Sequence, residues 1–266
     1  MRKLTFINEY GQSFPLSGQV LINGVEGLGV TRDNEYLVFS DRYKLGKTGH
    51  AVTDISLGLI FLNGYQGYRA FVSFTSAAKE LILKYEIVDV FTCKIAFQSI
   101  TKGELNFGTL QANLILHKLS PWLKVINKTI DVSVSGLFKA YQYSYPLIYG
   151  ENANGSIEVS NAGANNAYMR IKIVGEVENP VVVIKKNDTI IGTLRLFVSG
   201  DLSIEVSSIP EDEYILVNGN DAYQAQDFTC KNFLFLPPGD AAIEFYPGIP
   251  TEPACYLSIE ESYEGV

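Results

Sequence analysis

Residues 24–29, Gly24-Val25-Glu26-Gly27-Leu28-Gly29, place three glycines where a phosphate-cradling loop would need them. Such a loop works by aiming backbone N–H groups at the opening of a helix toward the anion, with a Lys and a Ser or Thr completing the site. No Lys-Ser/Thr pair follows here and no helical periodicity opens after Gly29, so the segment reads as a flexible β-connection or bulge. His50 and His117 stand apart, with no second His, Cys or acidic residue at a metal-ligand spacing. Neither a G-x-S-x-G elbow, an H-E-x-x-H helix nor an acidic calcium loop occurs. Cys93, Cys230 and Cys255 form no C-x-x-C pair and leave an odd one in any pairing, which marks buried thiols of a protein made in a reducing cytoplasm.

The acidic run Glu211-Asp212-Glu213 leads into Tyr214 and Ile215 as the solvated start of a strand would. Paired carboxylates for glycoside hydrolysis need a separation that only the fold sets, and with so many acidic residues in the second half chance pairs are expected. The sequons at Asn127, Asn154 and Asn187 are hairpin and loop positions first, and glycosylation would need a secretory route. The sixteen tyrosines include a tight series, Tyr141, Tyr143, Tyr145 and Tyr149. Alternate tyrosines can fill a sandwich core, bury in a protein interface or stack on sugars, because their rings give large contact area at low entropic cost.

The elements that must position these residues are mostly strands. Leu202, Ile204 and Val206 alternate with Asp201, Ser203, Glu205 and Ser207, which puts one face in a core and the other in water. The same period recurs at Met169-Ile171-Ile173, Leu194-Leu196-Val198, Leu110-Ala112-Leu114-Leu116 and Ile130-Val132-Val134. Asn23-Gly24, Asn63-Gly64, Asn154-Gly155 and Asn218-Gly219 are turn signals, since Asn and Gly tolerate positive φ. Short strands closed by such turns predict a mainly β chain of sandwiches or barrels. One segment, residues 75–85, carries Ala77, Ala78, Leu81, Ile82 and Tyr85 at helical spacing, with Ser76 as a possible cap, and predicts a single helix.

A chain of 266 residues with 47% apolar and 19% charged residues can fold on its own core, as one large or two smaller domains. No apolar run reaches signal-peptide or membrane-spanning length. The net charge of -8 is uneven. Residues 1–136 carry 14 basic and 11 acidic side chains (+3), and residues 137–266 carry 7 and 18 (-11). An acidic second half repels nucleic acid and anionic membranes, so neither sequence-specific nucleic-acid binding nor membrane insertion is expected. The charge change and the end of the strand at Val134 place the domain boundary at 136/137.

Read as a whole, the chain resembles the distal tail protein family of long, non-contractile-tailed phages of Gram-positive bacteria. The likeness rests on residues 4–13 with the glycine-rich 25–29, then on 100–104, the strand 110–119 and Ser120-Pro121-Trp122. It continues at 145–150, 155–157, 161–163, 171–175 and Asn179-Pro180, and ends in residues 233–245. The family's usual Asn-Gly-Asn ending stands here as Pro238-Gly239-Asp240.

The resemblance implies an N-terminal β-sandwich with one helix (1–136) that builds a hexameric ring, and a C-terminal galectin-like sandwich (137–266). It implies a structural virion protein at the tail tip, not an enzyme, with no catalytic residue, metal or cofactor. Its partners would be its own copies, the tail tube protein, the tail-tip protein and receptor-binding proteins. Trp122, the only tryptophan, is expected as a buried anchor of the first domain. The first half alone should form rings or their precursors while the second stays monomeric. A rival reading is a carbohydrate-binding host-recognition module, although after Gly136 there is no Trp or His to build a galectin's usual sugar pocket. A cell-wall glycosidase has only the abundance of acidic residues behind it.

Overall fold

The computed structural model describes residues 2–50, 53–135 and 152–266. The chain is mainly β with one helix, and it divides into two compact units: Met1–Lys124 together with Tyr263–Val266, and Val125–Ser262.

The first unit opens with β1 (Lys3–Asn8), β2 (Ser13–Pro15), β3 (Val20–Glu26), the hairpin β4 (Arg32–Phe39) and β5 (Arg42–His50), and β6 (Asp54–Phe61). After the helix α1 (Gly64–Ala77) come β7 (Leu81–Glu86), β8 (Val90–Asn106), β9 (Thr109–Lys118) and β10 (Trp122–Ile130). Antiparallel pairing runs β2-β1-β7-β8-β9-β6-β3. β8 makes this possible, because residues 90–95 pair with β7 while the remainder pairs with β9 through register shifts at Phe97/Ser99 and Lys102/Leu105. Such bulges bend a strand, and here the bend folds the sheet over its own core. Alternation in β6, β7 and β9 sends Ile55, Leu57, Leu83, Leu114 and Leu116 inward, where α1 adds Phe71 edge-on to Phe6 at 5.5 Å.

The single helix lies earlier than residues 75–85. Residues 81–85 satisfy a period of two as well as a helical one, and as β7 between β1 and β8 they bury Leu81, Leu83 and Tyr85 on one face. The helix instead follows Asn63-Gly64, which is no hairpin turn: Gly64, at φ 54, is its first residue. Asn23-Gly24 and Asn154-Gly155 likewise fall inside strands, whereas Asn218-Gly219, at φ 51 and 77, is the turn expected.

The second unit takes up the end of β10 and adds β11 (Ser133–Ser135), β12 (Asn152–Asn161), β13 (Ala167–Glu178), β14 (Val181–Lys186) and β15 (Thr189–Arg195). Next are β16 (Ser199–Ile209), β17 (Asp212–Val217), β18 (Asn220–Asp221), β19 (Phe235–Leu236), β20 (Gly239–Tyr246) and β21 (Ala254–Tyr263). One antiparallel array runs β18-β17-β16-β13-β21 and the other β11-β12-β20-β14-β15. Ile171, Ile204, Val206, Ile243, Phe245 and Leu257 share its core. The buried Ser208 hydroxyl donates to the Leu234 carbonyl at 2.5 Å and accepts the Met169 N–H at 3.0 Å, fixing the 234–236 segment over the sheet.

The division falls at Lys124/Val125 and not at 136/137. β10 explains the difference: its Trp122 end lies in the first core and its Ile130 end in the second, so packing changes owner within one strand, ahead of the change in charge. The expected strand through Ile130, Val132 and Val134 is accordingly interrupted, with β10 ending at Ile130 and β11 starting at Ser133.

Candidate assembly interface

Trp122 is completely buried, 6.0 Å from the Tyr85 ring, and its indole N–H finds no hydrogen-bond partner among the described residues. Tyr141, Tyr143, Tyr145 and Tyr149 lie outside the described residues. The His117 ring nitrogen Nδ1 and the Asp54 carboxylate share a hydrogen bond at the surface across β9 and β6. Among the described residues no three His, Cys, Asp or Glu side chains come close enough to hold a metal ion. No helix among them is long and apolar enough to cross a membrane. Cys93 and Cys255 are buried, and burial pushes the Cys255 thiol up to about 12.

The unusual feature of the first unit is what it leaves uncovered. β4 and β5 pair only with each other, joined through Ser40-Asp41 with Phe39 opposite Arg42. Ser40 has φ 57, at a position of a two-residue hairpin turn that favours glycine. Tyr36, Leu37, Val38, Phe39, Tyr43 and Leu45 are all exposed, from 44% for Leu37 to 75% for Tyr43. Two isolated strands are at best marginally stable in water, and a bare apolar edge recruits another chain. This sequence spends β-branched and aromatic residues on a hairpin with no core of its own, which is how a surface meant for a partner is built.

A second apolar surface sits elsewhere on the same unit. The β8–β9 turn places Phe107, at φ 46 and fully exposed, at its tip beside Gly108 at φ 81. Gly64 packs against Leu105 and the Gly108 carbonyl, a closeness that a Cβ would violate, so the start of α1, flanked by the exposed Leu62 and Tyr65, lies against the β8–β9 turn. Lys102 lies 5.2 Å from the Tyr65 ring centroid, a cation–π contact at the rim. Sequence reasoning missed both surfaces, although Tyr36-Leu37-Val38-Phe39 is a run of four apolar residues that a half-buried strand would have interrupted.

The second unit carries an open groove of about 650 Å³ lined by Asn127, Arg170, Lys172, Glu205, Tyr214 and Tyr256. Two of its basic side chains are paired: Lys172 bonds Glu205 at 2.7 Å and Arg170 bonds Asp212 at 2.8 Å. Each bond raises the basic partner's pKa, Glu205 acting on Lys172 and Asp212 on Arg170.

Residues 3–119 match the family described as distal tail protein, N-terminal domain. The first unit thus carries a distal tail protein N-terminal domain over residues 3–119. It shares a fold with a chain of the phage P2 baseplate in its activated conformation with calcium, at 14% identity and a TM-score of 0.63, over 100% of both chains. The SPP1 Dit protein, described as a paradigm of the hub adsorption apparatus in phages infecting Gram-positive bacteria, aligns at 14% identity and a TM-score of 0.65. That alignment covers 96% of this chain and 98% of the other. No curated protein sequence matches the chain.

Proposed function

We propose that this protein is a structural component of the virion tail tip that closes into a ring through its first unit, joining the tail tube to the host-adhesion apparatus. The observation that carries the reading is the pair of distinct apolar surfaces on that unit, residues 36–45 and the patch around Phe107. A ring is built by heterologous contacts, in which one surface of a subunit meets a different surface of the next and the rotation closes. A hexamer is the size the family resemblance implies. The tail tube protein, the tail-tip protein and receptor-binding proteins would cover the remaining faces, and synthesis would take place in the host cytoplasm.

A channel that passes DNA must not hold it. The +3 balance of residues 1–136 supplies little attraction for a polyanion, and the -11 of the rest repels it. Nothing in this work requires a catalytic residue or cofactor, so the protein is not an enzyme in this reading. Sedimentation of the purified chain tests it: a concentration-dependent closed oligomer is expected, and a chain that stays monomeric at high concentration and in the presence of its tail partners would remove the proposal.

A second reading concerns the second unit alone. Its groove combines Tyr214 and Tyr256 with paired, hydrogen-bonding charges, a combination that suits a sugar ring even without the Trp and His of a galectin pocket. A glycan array decides it. Binding that Tyr256→Ala abolishes would favour a host-recognition role, and no binding across the array would leave the groove to a protein neighbour.

A further inference from the structure

Among the described residues the exposed hairpin pairs with no other strand, and its base is held by residues from far along the chain. Tyr263 stacks edge-on against Phe91 at 5.3 Å, and both pack on the first unit's core together with Leu28 and Val266. The Glu264 carbonyl accepts the Lys118 ammonium at 2.9 Å, and its carboxylate pairs with Arg32, the first residue of β4, at 3.3 Å. Val266 N–H donates to the Leu28 carbonyl at 3.2 Å. Between them Gly265 lies so close to Gly29 and the Leu28 carbonyl that a Cβ there would stand 3.0 to 3.2 Å from backbone atoms. On the hairpin's approach, Gly27 sits at φ 85 against the Asp54 carbonyl, where no other residue fits.

We infer that residues 263–266 are a clasp that sets the direction of the β4–β5 hairpin, with Gly265, Lys118 and the Phe91–Tyr263 pair as its positioning residues. The physical need is plain. A two-stranded ribbon without a sheet neighbour has no ladder to fix its angle, so its aim depends on the few residues where it leaves the body, 27–32. The clasp adds to that segment an apolar anchor, a main-chain hydrogen bond and an ion pair. The exposed Arg32–Glu264 pair contributes least, because solvent screens it. Tyr263 and the backbone fit at Gly265 contribute most.

The consequence for assembly rests on the reading of the hairpin as a subunit contact. Residues 263–266 follow the whole second unit in sequence, so the arm is aimed only when the chain beyond that unit is in place. A fragment ending at residue 136 lacks the clasp altogether. Its hairpin would sample many directions, and the fragment would close rings poorly, contrary to the sequence-based expectation that residues 1–136 assemble alone.

Amide hydrogen exchange on the full chain tests the clasp separately from the ring. Two variants are compared with the unaltered protein: Gly265→Val, which forces the strands of contact apart, and a chain ending at Ser262. Buried Trp122 fluorescence reports in each case that the first unit remains folded. The clasp predicts exchange over residues 28–47 at least about tenfold faster in both variants, with β1, β6 and β9 unchanged. Unchanged exchange over 28–47 in either folded variant would overturn it. If Gly265→Val unfolds the unit, the shortened chain and Lys118→Met, which removes one hydrogen bond without adding bulk, give the answer by the same readout. Ring formation, measured in parallel, bears on the assembly reading instead: faster exchange with undiminished rings would leave the clasp standing and remove the hairpin from the subunit contact.

Discussion

At the scale of single residues, the first core turns on Trp122. It closes the space between β10 and Tyr85, and its unpaired N–H means that its contribution is packing and not hydrogen bonding. Trp122→Ala should therefore cost about 3–5 kcal/mol, seen as a lowered denaturant midpoint with little change in slope. Emission of the native protein should be blue-shifted and poorly quenched by iodide. The cysteines give a second prediction. Burial raises the Cys255 thiol from 9.0 to about 12 and raises Cys93 as well. A folded-state pKa above the unfolded one means that the native form holds the proton more tightly. Stability from these thiols is thus complete below about pH 9 and is lost progressively as pH rises toward 12. Cys93→Ala/Cys255→Ala should lose less stability than the unaltered chain between pH 9 and pH 11. At pH 8 a thiol reagent should modify only the half-buried Cys230 in the native state, and full modification on mixing would contradict the burial.

At the scale of elements, the hairpin β4–β5 is the part whose sequence, in the proposed assembly, serves the subunit contact and not the fold. Phe39→Asp and Tyr43→Asp should leave thermal stability within about 0.5 kcal/mol, because neither side chain touches the core, while weakening self-association by about 30-fold or more. Circular dichroism melts alongside sedimentation measure both. The strands legible in the sequence are those with one buried face: β9 and β13 alternate as their burial does, whereas β16 keeps the pattern only as far as Val206, because Ser207, expected in water, is buried along with Ser208. The helix was misplaced because Leu81, Ile82 and Tyr85 fit two periods, and only pairing between β1 and β8 decides for the strand. The hairpin went unread for the opposite reason, since it has no buried face and leaves no alternation. The clasp was illegible in principle: Gly265 and Gly29 are neighbours only through the return of the chain.

At the scale of the whole molecule, the two units differ in charge: residues 1–124 with 263–266 carry 13 basic and 11 acidic side chains (+2), and residues 125–262 carry 8 and 18 (-10). The boundary at Lys124/Val125, set by packing and crossed by β10, means that halves cut at 136 do not correspond to either unit. In the proposed assembly the first unit of the intact chain forms the ring, and the β4–β5 hairpin is part of the contact. Electron cryomicroscopy of the full chain, assembled alone or with its tail tube neighbour, tests this most directly. The expected result is a closed ring in which residues 36–45 of each subunit are buried against the next one and the second units project outward. Rings held together by residues 125–262, with Tyr36, Phe39 and Tyr43 still facing solvent, would contradict it.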